Sequence, residues 1–107
     1  MEKVIFQEKV LDFLDKLVFT LFEKGYFGFK ESAIEYVYNI TFFAKDFIPK
    51  NIHKTTSLPL KYLGSYYVAF QANPNTTWYI FFEKELNQYI VTNILNNHQP
   101  ETRFLNL

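Results

Sequence analysis

Three consecutive stretches between Ser65 and Leu95 alternate their side chains with the two-residue period of a half-buried strand. Ser65–Gln71 sets Tyr66, Val68 and Phe70 against Tyr67, Ala69 and Gln71. Thr76–Glu83 sets Trp78, Ile80 and Phe82 against Thr77, Tyr79 and Phe81. Gln88–Leu95 sets Tyr89, Val91, Asn93 and Leu95 against Ile90, Thr92 and Ile94. The links Ala72-Asn73-Pro74-Asn75 and Lys84-Glu85-Leu86-Asn87 are short and rich in turn formers, so the three strands form an antiparallel meander. The polar cluster Asn96-Asn97-His98 stops it.

The preceding residues predict what covers that meander. Lys3–Gln7 is short and β-branched, which suits a first strand at a sheet edge. Val10, Leu11, Leu14, Leu17, Val18, Leu21 and Phe22 then recur at helical spacing, with Asp12, Asp15, Lys16 and Glu23 opposite. Phe13 and Phe19 fall off this stripe and either widen the buried face or form a contact surface. Gly25 suits the helix C-terminus, and Gly28 is free to take a positive φ in the link. A second helix starts near Lys30 to Ser32, carries Ala33, Ile34, Val37, Ile40, Thr41, Ala44, Phe47 and Ile48, and stops at Pro49. So short a link implies antiparallel packing of the two helices. Residues 50–64 read as a long basic connection pinned by Ile52, Leu58 and Leu60. Gln99–Leu107 reads as a helical turn that docks Phe104 and Leu105. The expectation is one α+β domain over residues 1–107, ordered β-α-α-β-β-β, with a helical hairpin packed on one face of a four-stranded antiparallel sheet. The other sheet face, the connection feeding it and the C-terminal end are left for function.

Composition narrows the chemistry. Apolar residues make up 49% of the 107, and aromatic residues 21%, with thirteen Phe and eight Tyr. That aromatic load exceeds what one small core holds, so part of it faces solvent and marks a partner surface. With no cysteine, disulfides and thiolate zinc sites are excluded. Two separated histidines without an acidic cluster argue against any metal site, and no cofactor motif stands out. Charge breaks every apolar run, so no membrane span or signal peptide is expected, and a cytoplasmic location follows. Residues 41–82 carry Lys45, Lys50, Lys54 and Lys61 against Asp46 alone, although the whole chain is neutral. A local basic stretch of this kind can hold a phosphate.

With those elements in place, the chain resembles the RelE/ParE superfamily of type II toxin–antitoxin toxins. The resemblance rests on Gln88-Tyr-Ile-Val-Thr-Asn-Ile-Leu-Asn-Asn-His98 followed by Glu101-Thr-Arg-Phe-Leu105. The strands Gly64–Phe70 and Trp78–Phe82 and the helix start Ser32–Val37 add to it. The chain departs from the family in being neutral with a single arginine, and in ending on Asn96-Asn97-His98-Gln99-Pro100 where members carry basic residues. The resemblance implies a RelE/ParE-like fold and a toxin neutralised by a cognate antitoxin protein. Such a toxin acts either by ribosome-dependent mRNA cleavage or by blocking a target such as DNA gyrase.

Cleavage at an RNA 2′-hydroxyl needs a base, an acid and cations around the phosphate. His98 is the candidate base or acid, and Lys54, Lys61 and Arg103 are the candidate phosphate cations. His53, Tyr67, Asn96 and Asn97 are candidate substrate-binding residues. Each has a plainer reading. His98 caps a strand end, Arg103 pairs with Glu101 or a helix carboxylate, the lysines sit on a solvated loop, and the two asparagines form a turn. The sparse cation set favours the non-enzymatic mechanism, or an attenuated protein. The alternative from a different class is a non-catalytic protein-interaction module that keeps the fold without toxicity.

Overall fold

The computed structural model describes residues 3–105 and is an α+β fold of two long helices on a five-stranded mixed sheet. Met1, Glu2, Asn106 and Leu107, including the end of the predicted tail, lie outside the described residues. The elements are β1 (Lys3–Phe6), α1 (Glu8–Glu23), α2 (Lys30–Phe47), β2 (Lys54–Thr55), β3 (Tyr66–Asn73), β4 (Thr76–Glu85) and β5 (Gln88–Asn96). Short 3₁₀ helices occupy Ile48–Lys50, Leu58–Leu63 and Pro100–Leu105. The sheet order is β1-β5-β4-β3-β2.

The four-stranded antiparallel sheet expected from the sequence is corrected in two linked respects. Lys54–Thr55 forms an extra strand inside the basic connection, antiparallel to β3. β1 pairs with β5 in parallel, through Lys3↔Gln88 to Phe6↔Val91. One strand explains both differences. Chain direction reverses at each short connection, so β2 adds one reversal between α2 and β3. That turns the β1–β5 pair from antiparallel to parallel.

α1 ends as the sequence indicates. Gly25 takes φ 76°, its N–H donates to the Phe22 carbonyl, and the Tyr26 N–H donates to the Leu21 carbonyl. These two bonds close the helix in a Schellman motif that a residue with a Cβ would strain. The positive φ thus falls on Gly25, not Gly28. α2 stops at Phe47, and Pro49 carries the chain into the 3₁₀ turn.

The buried faces of the helices are narrower than their apolar arcs. Val10 and Leu14 of α1 and Ala33, Val37, Ile40 and Ala44 of α2 are buried. Leu11, Phe22 and Ile34, expected in the core, are exposed. Against these helices pack Val68 of β3, Trp78, Ile80 and Phe82 of β4, and Tyr89, Val91 and Ile94 of β5. Val91 and Ile94 share a face despite odd spacing because the β4–β5 register slips. Phe81 pairs with Asn93 and Phe82 with Val91, which leaves Thr92 as the bulged residue. The strict alternation read from the sequence fails at that residue.

The second sheet face is covered rather than open. Leu60, Leu63, Tyr67, Tyr79, Phe81 and Leu105 form a separate buried cluster under the Leu58–Leu63 and Pro100–Leu105 turns. The tail therefore docks Leu105, with Phe104 partly buried beside it. Leu60 does pin the connection, but Ile52 and Leu58 are 96% and 83% exposed and pin nothing. Phe81 and Phe82 are fully buried on opposite faces of β4, so one strand anchors both layers. Each such side chain contributes about 2–3 kcal/mol by burial.

The turn is locked to the sheet at Gly64. The Leu63 carbonyl accepts hydrogen bonds from Thr92 Oγ1 and from Asn93 Nδ2 (2.7 Å) at the bulge. A Cβ on Gly64 would lie 2.8 Å from Thr92 Oγ1 and 2.9 Å from the Phe82 backbone nitrogen. Backbone cannot move aside as a side-chain tip can. Gly64→Ala is expected to cost about 2 kcal/mol, the usual scale for overpacking. Urea unfolding checks this as a lowered midpoint with an unchanged slope.

Candidate functional site

At the closed end of the helical hairpin, a cavity of about 620 Å³ opens between the helices and the ends of β3, β4 and β5. Its apolar wall is Leu17, Leu21, Tyr26, Phe27, Tyr36, Ala72 and Trp78, and its polar lining is Thr20, Lys24, Asn73, Thr76, Asn96 and His98. The volume falls in the range of small-molecule and anchor-residue pockets. The wall is held by an aromatic chain. The Trp78 Nε1–H donates to the Tyr36 hydroxyl at 2.9 Å, the two rings meet edge to face, and Phe27 lies against Tyr36 at 5.3 Å.

His98 reaches this cavity because the end of β5 is tied to the β3–β4 turn. The Asn97 N–H donates to the Thr77 carbonyl, Asn97 Oδ1 accepts from the Thr77 N–H, and Asn97 Nδ2 donates to the Asn75 carbonyl. The Asn96 N–H donates to Gln99 Oε1, and Asn96 Oδ1 accepts from the His98 N–H. Both asparagine side chains thus hold the chain reversal, the plainer of the two readings given to them. His98 itself is exposed, with Nε2 3.4 Å from Thr76 Oγ1.

The other candidates lie elsewhere. Lys54 is on β2 opposite Tyr67 and places its Nζ 5.9 Å from that ring's centre. Lys61 stands exposed on the Leu58–Leu63 turn, and the Arg103 guanidinium lies 4.9 Å from the Phe104 ring centre. These three cations belong to the sheet's β2 edge and second face. His98 borders the helix-side cavity. From Tyr67 to Asn73, which lines that cavity, β3 advances six residues, or about 20 Å at strand rise. None of the three cations lines the cavity that His98 borders, so that cavity is not the expected cleft shared by His98, Lys54 and Lys61.

His53 is not a loop residue facing solvent. Its ring packs against Tyr66, Phe82 and Tyr89, and its Nε2 donates to the Ile48 carbonyl at 2.6 Å. Tyr67 is buried on the second face, where its hydroxyl donates to the Leu105 carbonyl at 3.2 Å. Burial, with a smaller contribution from Tyr79, raises the Tyr67 phenol above its ordinary value.

Sequence reasoning missed Lys24, Tyr36 and Trp78 as a group. Only the Gly25 helix stop, which returns the chain over the sheet end, hinted that they converge. Among the described residues no three His, Cys, Asp or Glu side chains gather as metal ligands, and no helix is long and apolar enough to cross a membrane.

Two variants test these assignments. Tyr36→Phe leaves the buried Trp78 N–H unpaired and is expected to cost about 1–2 kcal/mol in urea unfolding. For Tyr67, the folded state keeps its proton longer than the unfolded chain does. Its contribution is fully present below the unfolded value near pH 10 and is lost as pH rises through the higher folded value. Stability measured from pH 9 to 12 should therefore fall less steeply in Tyr67→Phe than in the unaltered protein.

No family model, curated protein or solved structure matches the chain.

Proposed function

We propose that the protein is a toxin-type component of a RelE/ParE-like pair that acts by binding a macromolecular target rather than by cleaving RNA. In this reading a partner polypeptide of antitoxin type covers its helical hairpin. The observation that carries it is the apolar outer surface of that hairpin. Phe19, Phe22, Phe29, Ile34, Tyr38 and Phe42 are all exposed. Ile34, Tyr38 and Phe42 recur every fourth residue and share one side of α2, with the last two rings stacked at 6.4 Å. A clustered aromatic surface of this kind is a common mark of a protein-binding site.

The separation of His98 from the candidate phosphate cations supports binding over cleavage. An acid–base group must lie within hydrogen-bond reach of the atom it serves; none of the three cations lines the cavity that His98 borders, and about 20 Å of strand separates Lys54 from it. The order of elements, with a strand before a helical hairpin and a meander after it, is the feature shared with the expectation drawn from sequence.

Induction of the gene alone, and together with its neighbouring small reading frame, tests the toxin role. Growth arrest relieved by co-expression is the expected result, and absence of arrest leaves a plain interaction module. His98→Ala should retain full toxicity with intact cellular mRNA; loss of toxicity together with loss of mRNA cleavage would restore the nuclease assignment. Tyr38→Asp and Phe42→Asp each place a charge on the outer stripe and should weaken capture of the co-expressed partner about tenfold or more. Their melting temperatures should stay near that of the unaltered protein, since both side chains face solvent.

A further inference from the structure

The outer edge of β3 is covered along only part of its length. β2 pairs with it at Lys54↔Tyr67 and Thr55↔Tyr66, and the Thr56 N–H donates to the Ser65 carbonyl at 3.0 Å. Antiparallel ladders alternate bonded and non-bonded pairs. With Thr56 and Ser65 bonded, Lys54 and Tyr67 form the next bonded pair. The odd-numbered residues of β3 therefore direct their main-chain groups towards this edge, and the even-numbered ones direct theirs towards β4. Beyond Tyr67 the ladder continues to Ala69 and Gln71, but β2 does not. Their outward N–H and C=O groups face a gap in the sheet.

Nothing in the strand guards that gap. Tyr66–Asn73 contains no charged residue and no proline, the usual devices that keep an edge from pairing. Beside it runs a groove of about 150 Å³ lined by Phe47, Ile52, Lys54, Tyr67, Val68 and Ala69. Ile52 is almost wholly exposed there. Charge identifies the occupant. Residues 47–66 hold Lys50, Lys54 and Lys61 and no Asp or Glu. Lys50 is paired with Asp46 at 2.8 Å, whereas Lys54 and Lys61 have no carboxylate partner among the described residues.

We propose that the open edge of β3 is a strand-addition site for an extended peptide segment of alternating apolar and acidic residues, supplied by another protein. Its backbone bonds to Ala69 and Gln71 and continues the sheet past β2. Its apolar side chains lie over Phe47 and Ile52, and its carboxylates lie near Lys54. A second copy of this chain offers that edge only uncharged residues and brings another Lys54, so it leaves the cation unanswered. The site touches the helical hairpin only at Phe47, the last residue of α2, and does not depend on a toxin role.

The full chain and a fluorescein-labelled peptide of alternating Glu and Val, eight residues long, test this by anisotropy. The peptide should bind, its Lys-for-Glu counterpart should bind about tenfold more weakly, and bound peptide should protect the Ala69 and Gln71 amides from hydrogen exchange. Gln71→Pro removes one outward N–H and spares the bonds of Val68 and Phe70 to β4, so it should lower affinity about tenfold. Lys54→Glu reverses an exposed charge beside the Tyr67 ring and should reverse the preference between the two peptides. Absence of binding at about 1 mM, a limit set by millimolar peptide affinity, would overturn the proposal. Equal binding by Gln71→Pro without amide protection would do the same. So would a dimer in sedimentation that Gln71→Pro dissolves, because it would give the edge to a second copy.

Discussion

The Leu63 carbonyl and the glycine after it hold this fold's two layers in register. Leu63 accepts from both Thr92 and Asn93, and Gly64 lies so close to β4 and β5 that no side chain fits between them. The contact seats the Leu58–Leu63 turn on the second sheet face and fixes the bulge of β5 at the same point. The bulge in turn rotates Ile94 to the helix side, beside Tyr89 and Val91. A sheet that is helix-covered on one face would otherwise present Tyr67, Tyr79 and Phe81 to water on the other. The turn converts that liability into a second core.

What was legible in the sequence follows from period and length. β3, β4 and most of β5 announce themselves by alternation, and both helices by their apolar stripes, because each runs long enough to repeat its pattern. β2 could not be read in this way: a two-residue ladder has no period, and its existence depends on where Tyr66 and Tyr67 lie in space. Missing it also cost the parallel sense of β1. The exposure of Leu11 and Ile34 was hidden for another reason. An apolar stripe gives the widest face that can be buried, whereas the sheet beneath decides how much of it is used.

The candidate site divides similarly. His98 was found from its place after the last strand, and it does line a cavity. Lys54, Lys61 and Arg103 were gathered by residue type alone, which carries no information about which sheet face they serve. His53 shows the opposite lesson, since a histidine within a basic loop is a packed ring bonded to the Ile48 carbonyl. The convergence of Tyr36, Trp78 and Lys24 depends on distant segments meeting, and no local pattern encodes it. Of eight residues singled out beforehand, Asn96 and His98 share the cavity.

The pairing of β1 with β5 has a consequence for biosynthesis. Each residue of β1 leaves the ribosome well ahead of its hydrogen-bonding partner on β5, Lys3 before Gln88 and Phe6 before Val91. At ordinary elongation rates the nascent chain waits about 4–17 s for that neighbour. Until β3 and β4 follow, α1 and α2 can pair only with each other, their sheet-facing sides uncovered. Such a polypeptide gains from chaperone shelter, or from a binding partner already waiting when β5 emerges.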